Sequence, residues 1–413
     1  MDKKKLALHN LKIHYIGTFM FSVAFLAPII TLFYSYHNFW VNEILLLSSI
    51  YLLATFILEI PTSSIGDNYS RSKVLKISIF INIVPLIIYA FFPYKELIYS
   101  SLFFAALSQA LWSGTAQAKL QEDLIYCDKE KDFWEVIWKL ISLMQIWTLL
   151  TPIVIFVLLK SYWDIAYFYL AILDLIIWFV IMYFISQFKD YSENKKIEKN
   201  NIKQIIRLNL LTIKDALKAF LVNKKLLLLL IIMIFSSNLY FLSKIILPHI
   251  VNNWIEDYLS SSVVWFSTLA WVIASYNTWK LANKIWWNKL FQITIFLNFL
   301  LHLLSAIFYE NNIIISVIFI FIIFIQMSYI PTRNHLLNFL ITTKQKATIR
   351  SIFVSAILLY TSIMLFILSF LEIQASLFII TFLIFIWFLL SMWGWTKWIG
   401  ADLFIKQSNK NKQ

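Results

Sequence analysis

Glu59-Ile60-Pro61-Thr62-Ser63-Ser64-Ile65-Gly66-Asp67-Asn68-Tyr69-Ser70-Arg71-Ser72-Lys73 is the longest charge-bearing interruption in the first hundred residues of an otherwise apolar chain. A proline, a glycine and a cluster of short polar residues end one hydrophobic helix there, and Arg71, Lys73 and Lys76 lead into the next. The stretch therefore reads as a tight cytosolic turn between two membrane helices. That reading decides how the sequence on either side is divided.

Working outward, the chain is 61% hydrophobic and 14% charged over 413 residues. Ordinary soluble domains carry roughly 25% charged residues, so the solvent for this surface is lipid. Apolar runs of about 20 residues, enough to cross the hydrocarbon as helix, recur from end to end. Twelve spans are expected, near 11–33, 41–61, 74–93, 97–118, 136–159, 163–187, 225–248, 259–280, 287–308, 312–340, 349–371 and 375–398. The first run is long and lacks a small-residue cleavage pattern, so no signal peptide is expected.

The net charge of +13 does not point to nucleic acid, because of where the bases lie. With the N-terminus inside, all but Lys95, Lys160 and Lys244 of the 35 Lys and Arg fall at inner ends or inner loops. This asymmetry orients the chain with both termini in the cytosol. The single cysteine, Cys127, excludes a disulfide framework and a thiol metal site. The six histidines are scattered, and no zinc spacing, phosphate-cradling loop or hydrolytic triad occurs. Neither an enzyme, an ATP-driven pump nor a metal or organic cofactor is expected, which leaves an ion or substrate gradient as the source of work.

The opening stretch resembles the signature loop between the second and third helices of the major facilitator superfamily. Asp67, Arg71 and Lys73 match its acidic and basic positions, whereas Ser63 and Ser70 stand at glycines and Asn68 at a base. Ser113-Gly114-Thr115-Ala116-Gln117-Ala118-Lys119-Leu120-Gln121-Glu122-Asp123 is similar to the helix-four exit of a bacterial, drug-efflux-like subgroup, with Gln121 in place of a tyrosine. Pro331, Leu336, Leu337, Asn338 and the run Lys346 to Ser351 resemble that subgroup's tenth helix and the turn after it. The resemblance implies an all-α integral membrane protein of twelve transmembrane helices in two pseudo-symmetric six-helix bundles.

The domain division follows from a polar stretch near the middle. Residues 1–188 form the first bundle, 189–224 a cytosolic linker, and 225–413 the second bundle with a short basic tail. In the linker, Ile202, Ile205, Ile206, Leu210, Ile213, Leu217 and Phe220 recur at helical spacing opposite Lys203, Arg207, Lys214 and Lys218. Such a basic amphipathic helix suits the inner leaflet. An offset of 216 residues carries Asp67 to Asn283 and Lys73 to Lys289, with Trp287 in place of the arginine, as a repeat would require.

Asp67 and Arg71 are one helical turn apart and can pair. The resemblance implies that Asp67, Arg71 and Lys73 form a conformational latch between halves; the plainer alternative is that they only end a helix on the inner side. Three residues are candidates for carrying a proton. Asp174 lies deepest in apolar sequence, where a charged carboxylate costs about 2.5 to 3.5 kcal/mol, so it is either protonated or partnered. Glu59 and His302 are the others, each with a structural reading beside it. Lys244 either attracts an anionic group or snorkels to the interface.

Family geometry places helices one, four, seven and ten around the central cavity. The lining candidates are His14, Tyr15, Gln109, Trp112, Gln117, Ser237, Asn238, Tyr240, Gln326, Tyr329 and Arg333. This lining is aromatic and amide-rich with little fixed charge. It suits a hydrophobic or amphipathic small molecule, exported in exchange for protons across the plasma membrane by a monomer. Uptake of a nutrient is the first rival reading. A facilitator fold kept as a transport-inactive scaffold, sensor or lipid-handling protein is the second.

Overall fold

A computed structural model describes residues 3–191 apart from 69, 130–132 and 163–164, isolated positions between 227 and 274, and residues 287–394 apart from 312 and 327–345. All regular structure among the described residues is helical. It begins with α1 (Lys3–Phe21), a 3-10 turn (Ala27–Ile29) and α2 (Ile30–Tyr36). There follow α3 (Val41–Asn68), α4 (Arg71–Phe91), α5 (Lys95–Tyr126), α6 (Phe133–Ser161) and α7 (Ala166–Ser186). Later in the chain come α8 (Trp287–Ile307), α9 (Ile313–Gln326), α10 (Lys346–Leu368) and α11 (Ile373–Gly394). Two compact units divide the chain: Met1–Leu210 with Glu256–Trp265, and Leu211–Ile255 with Phe266–Gln413.

Within the first unit α4 packs on α5 and α7, α3 on α5, and α1 on α5, α6 and α7. Ile13 of α1, Leu75, Ile79, Ile83 and Leu86 of α4, and Trp178, Ile181 and Ile185 of α7 make one buried cluster. A second joins Ala7 and Leu11 of α1 to Leu120 and Leu124 of α5 and to Val136 and Leu140 of α6. The opposite faces are apolar too: Ile57, Phe80, Phe103, Phe179 and Tyr183 are exposed. A helix apolar on every side is one that lipid surrounds. Four spans are long and apolar enough to cross a membrane by themselves, Val41–Glu59, Arg71–Phe91, Ala166–Ser186 and Ile373–Ser391. In the second unit α8 packs against α11.

Two sequence expectations change in physical detail. The first span, expected to run unbroken over 11–33, is interrupted: α1 stops at Phe21 and α2 starts only at Ile30. Pro28, within the 3-10 turn, has no N–H to donate and its ring crowds the carbonyl four residues earlier. The second span, expected to end in a turn at Pro61, continues as helix to Asn68. Beside the proline, the Thr62 hydroxyl donates to the carbonyls of Leu58 at 2.8 Å and of Ala110 on α5 at 3.2 Å. Such side-chain bonds let a membrane helix carry a proline.

The helix thus ends at Asn68, and α4 begins at Arg71. Ser70 caps the new helix, its hydroxyl accepting from the Lys73 N–H at 3.2 Å. The inner end of α5 runs to Tyr126, and Asp128 then takes a left-handed φ of 58°. The Lys129 N–H closes that end on the Leu124 carbonyl at 2.9 Å. Most of the linker and of the seventh and eighth spans, the tenth span beyond Gln326, and Asn283 of the repeat lie outside the described residues.

Candidate functional site

Several charged residues of the first unit gather at the C-terminal end of α5. Lys119 and Asp123 lie one turn apart, both 0% exposed, with Lys119 Nζ 2.9 Å from Asp123 Oδ1. From α1, Asn10 donates to Asp123 at 2.9 Å, and His14 Nε2 sits 2.9 Å from the other carboxylate oxygen. The chain leaving α7 closes the cluster: the Tyr191 hydroxyl donates to Asp123, and Lys119 Nζ stands 4.4 Å from the centre of its ring. Buried charges persist only when paired and hydrogen-bonded, and here every polar group has a partner.

The same cluster fixes the segment that follows α7. Asn10 donates to the Lys189 carbonyl at 2.9 Å and accepts from the Lys189 N–H at 3.1 Å. The His9 imidazole lies 3.3 Å from the Gln187 carbonyl, and the Ser70 hydroxyl donates to Asp190. Residues 187–191 are thus clasped by α1, α5 and the start of α4. Asp123 lies beyond the apolar part of α5. Its burial works to raise the carboxyl pKa, but the His14 bond, the Lys119 charge and the Tyr191 hydroxyl outweigh it and hold the pKa below the ordinary value. Burial and the adjoining carboxylate both push the Tyr191 phenol up, so it stays a donor.

Arg71 of the signature loop reaches across to α5, 3.2 Å from Glu122, and also bonds the Ala118 carbonyl at 3.4 Å. Arg71, Ala118, Gln121, Glu122, Ile125 and Tyr126 line a shallow cleft of about 280 Å³. Lys73 is exposed beside it. Asp67 lies in the last turn of α3, and its side chain is outside the described residues, as is that of Gln117.

The proton-carrying candidates occupy three different environments. Asp174 of α7 is 3% exposed, and its two oxygens accept from the backbone N–H groups of Phe25 at 2.7 Å and Leu26 at 2.9 Å. These amides belong to the interruption of the first span. His302 of α8 is 0% exposed; Nδ1 lies 2.7 Å from the Asn298 carbonyl, and Nε2 is shut away without a partner among the described residues. Glu59 of α3 is half-buried. Its carboxyl meets the Ser113 hydroxyl of α5 while Oε2 is screened from water with no partner among the described residues.

The lining candidates separate as well. His14 is turned into the clasp, and Tyr15 packs on the apolar cluster between α1, α5 and α6. Trp112 stacks on Phe21, the last residue of α1, with ring centroids 5.2 Å apart. Gln109 is exposed, and Gln326 is buried at the end of α9. Ser237, Asn238, Tyr240, Tyr329, Arg333 and Lys244 lie outside the described residues. Sequence reasoning missed the partnership of Lys119, Asp123, Asn10 and Tyr191. Only the four-residue spacing of the first two was visible in it.

No protein-family model and no curated protein matches the sequence. Solved structures do match the fold. A point mutant of the nucleoside transporter NupG superposes with a TM-score of 0.71 at 12% identity, over 94% of this chain and 99% of that one. A POT family transporter in complex with 5-aminolevulinic acid gives a TM-score of 0.70 at 12% identity, over 94% of each chain. A POT family transporter bound to a thioalcohol-conjugated peptide gives 0.68 at 12% identity, again over 94% of each. The chain accordingly has the major facilitator fold: an all-α, multi-pass membrane protein of two six-helix bundles.

Proposed function

We propose that this chain is a secondary transporter that moves a small molecule by alternating access, with a proton as the coupling ion and Glu59 as its carrier. The observation that carries the reading is the environment of Glu59. One oxygen of this carboxyl is screened from water and from every described donor, and the group's described partner is the uncharged Ser113 hydroxyl, an arrangement that holds a full charge at a cost and a proton without one. Partial exposure of the residue supplies a route for the proton to leave. Asp174 differs in having both oxygens bonded to backbone N–H groups, and His302 is 0% exposed.

Asp67, Arg71 and Lys73 serve in this reading as the latch that is made in one conformation and released in the other. The cargo is a hydrophobic or amphipathic compound, exported across the plasma membrane from a cytosolic face that carries both termini, by a monomer. Support comes from the low fixed charge of the candidate lining. A second reading, transport of a polar molecule in either direction, is favoured by the ligands named for the similar structures, a nucleoside, 5-aminolevulinic acid and a peptide. Counterflow into liposomes with amphipathic dyes against nucleosides and dipeptides separates the two. Dye exchange that Asp67→Asn abolishes supports the first. Exchange confined to the polar panel replaces it with the second, and exchange of neither, with all compounds unbound, returns the chain to a scaffold role.

A further inference from the structure

The interruption of the first span sits opposite the one carboxylate of α7. Ser22 to Leu26 leave the helix, and their amides take short-range bonds: Val23 N–H to Met20 at 3.0 Å and Ala24 N–H to Ser22 at 3.0 Å. The next two N–H groups, of Phe25 and Leu26, have no carbonyl to reach and end on Asp174. Val23, Phe25 and Leu26 are 4%, 7% and 2% exposed, so water is not available to replace that acceptor. In a membrane, freed backbone donors must be satisfied within the protein. Asp174 performs for this break what a capping residue performs at a helix start, its carboxylate accepting from two backbone N–H groups that have no carbonyl partner.

Each half of the broken span is anchored separately. On the inner side, α1 approaches α7 closely at Gly17, where an added Cβ would lie 3.1 Å from Ile185 Cδ1. On the outer side, Phe33 and Tyr36 of α2 pack on Tyr167 of α7 with ring centroids 6.0 and 4.7 Å apart. Between these anchors Asp174 is, among the described residues, the side chain of another helix that bonds the backbone. We propose that Asp174 is the positioning residue of a hinge in the first span: its negative charge keeps the span broken at Ser22–Leu26, and neutralising that charge lets the two half-helices change their mutual angle. With the carboxyl neutral, the oxygen that carries the proton no longer attracts an N–H. The amides then gain most by re-forming helical bonds, up to the limit that Pro28 imposes.

The titratable groups on the packed elements do not complicate the switch. From α2, Tyr34 bonds Tyr89 of α4 at 3.3 Å, and His37 stacks on Phe33 with centroids 4.5 Å apart. From α1, His14 is bonded to Asp123 at the inner end. Arg71, Lys73 and Lys76 lie in the first two turns of α4, and Lys139 and Lys160 near the two ends of α6. Asp174 itself bonds the two amides and nothing else among the described residues. The hinge does not depend on Glu59 or on any cargo, and its test reads the span rather than transport.

Spin labels at two exposed positions, Leu8→Cys on α1 and Trp40→Cys beyond α2, report the angle across the break by pulsed dipolar distance measurement in nanodiscs. Cys127→Ser supplies the background. Between pH 8 and pH 5 the wild-type pair is expected to shift its balance between two distances about tenfold, as one proton moves a two-state equilibrium. Asp174→Asn should hold the low-pH distance at both values, and Asp174→Glu should restore the shift. A wild-type distribution that is identical across the range overturns the hinge, and so does an Asp174→Asn protein that keeps the high-pH distance. If Asp174→Asn does not fold, the wild-type series decides alone.

Discussion

The clasp at the C-terminal end of α5 and the break in the first span both bury an aspartate, and they neutralise it by opposite means. Asp123 is surrounded by side chains: an ammonium, an imidazole, an amide and a phenol. Asp174 meets no side-chain donor among the described residues and takes two backbone amides instead. A charge held by another charge is fixed in place, because removing either partner strands the other in low dielectric. A charge held by backbone dipoles is conditional, because the backbone has helical bonds to return to. The comparison teaches that the C-terminal end of α5 is built to stay and, if the hinge holds, the middle of the first span to move.

The largest expected effect breaks the fixed member. Asp123→Leu leaves the buried Lys119 with only the more distant Glu122 carboxylate, 3.9 Å away, and should lower stability by up to about 3–5 kcal/mol. Thermal unfolding in detergent measures it, and adding Lys119→Met should recover most of the loss. Next comes Asp174→Leu, which strands two amides at about 1–3 kcal/mol each when no helical bond re-forms. If the hinge account holds, the measured loss falls at the lower end of that range.

Smaller still is Ser70→Ala, which removes the cap of α4 and the Asp190 bond, for about 1 kcal/mol in the same unfolding measurement. Lys4→Ala, at a pair whose members are 57% and 81% exposed, should change stability by less than about 0.5 kcal/mol.

Acid sharpens the comparison. Because the folded Asp123 carboxyl titrates below its ordinary value, the clasp's contribution is complete above the unfolded value of about 3.9 and is lost as the pH falls below it. Unfolding midpoints followed from pH 7 to pH 3 in wild type and Asp123→Asn should differ by a constant amount down to about pH 4 and converge below it, because only the wild type then loses the Asp123 contribution.

Much of the fold was legible because hydropathy needs only composition and length. α4, α7, α8 and α11 lie within a few residues of the spans read from sequence. The ends were less legible where the chain leaves the hydrocarbon. Pro61 reads as a stop, yet the Thr62 hydroxyl and the neighbouring α5 carry the helix through it. Ser70, which stands where the resembling motif has a glycine, is a helix cap joined to Asp190, a role its residue type allows but its position in the motif does not announce. Asp174 was legible as a residue needing a partner, but the partner is backbone, which carries no sequence mark beyond Pro28. The clasp was not legible, because it brings Tyr191 to Asp123 across 68 residues and Asn10 across 113.

The most direct test of proton-coupled transport is proton movement into liposomes that hold purified protein, recorded with a trapped pH dye as a transported compound is added. The account requires a compound-dependent proton flux that disappears in Glu59→Gln while compound binding is kept. A flux of the same size in Glu59→Gln, or exchange of the compound with no proton movement in the wild type, would contradict it.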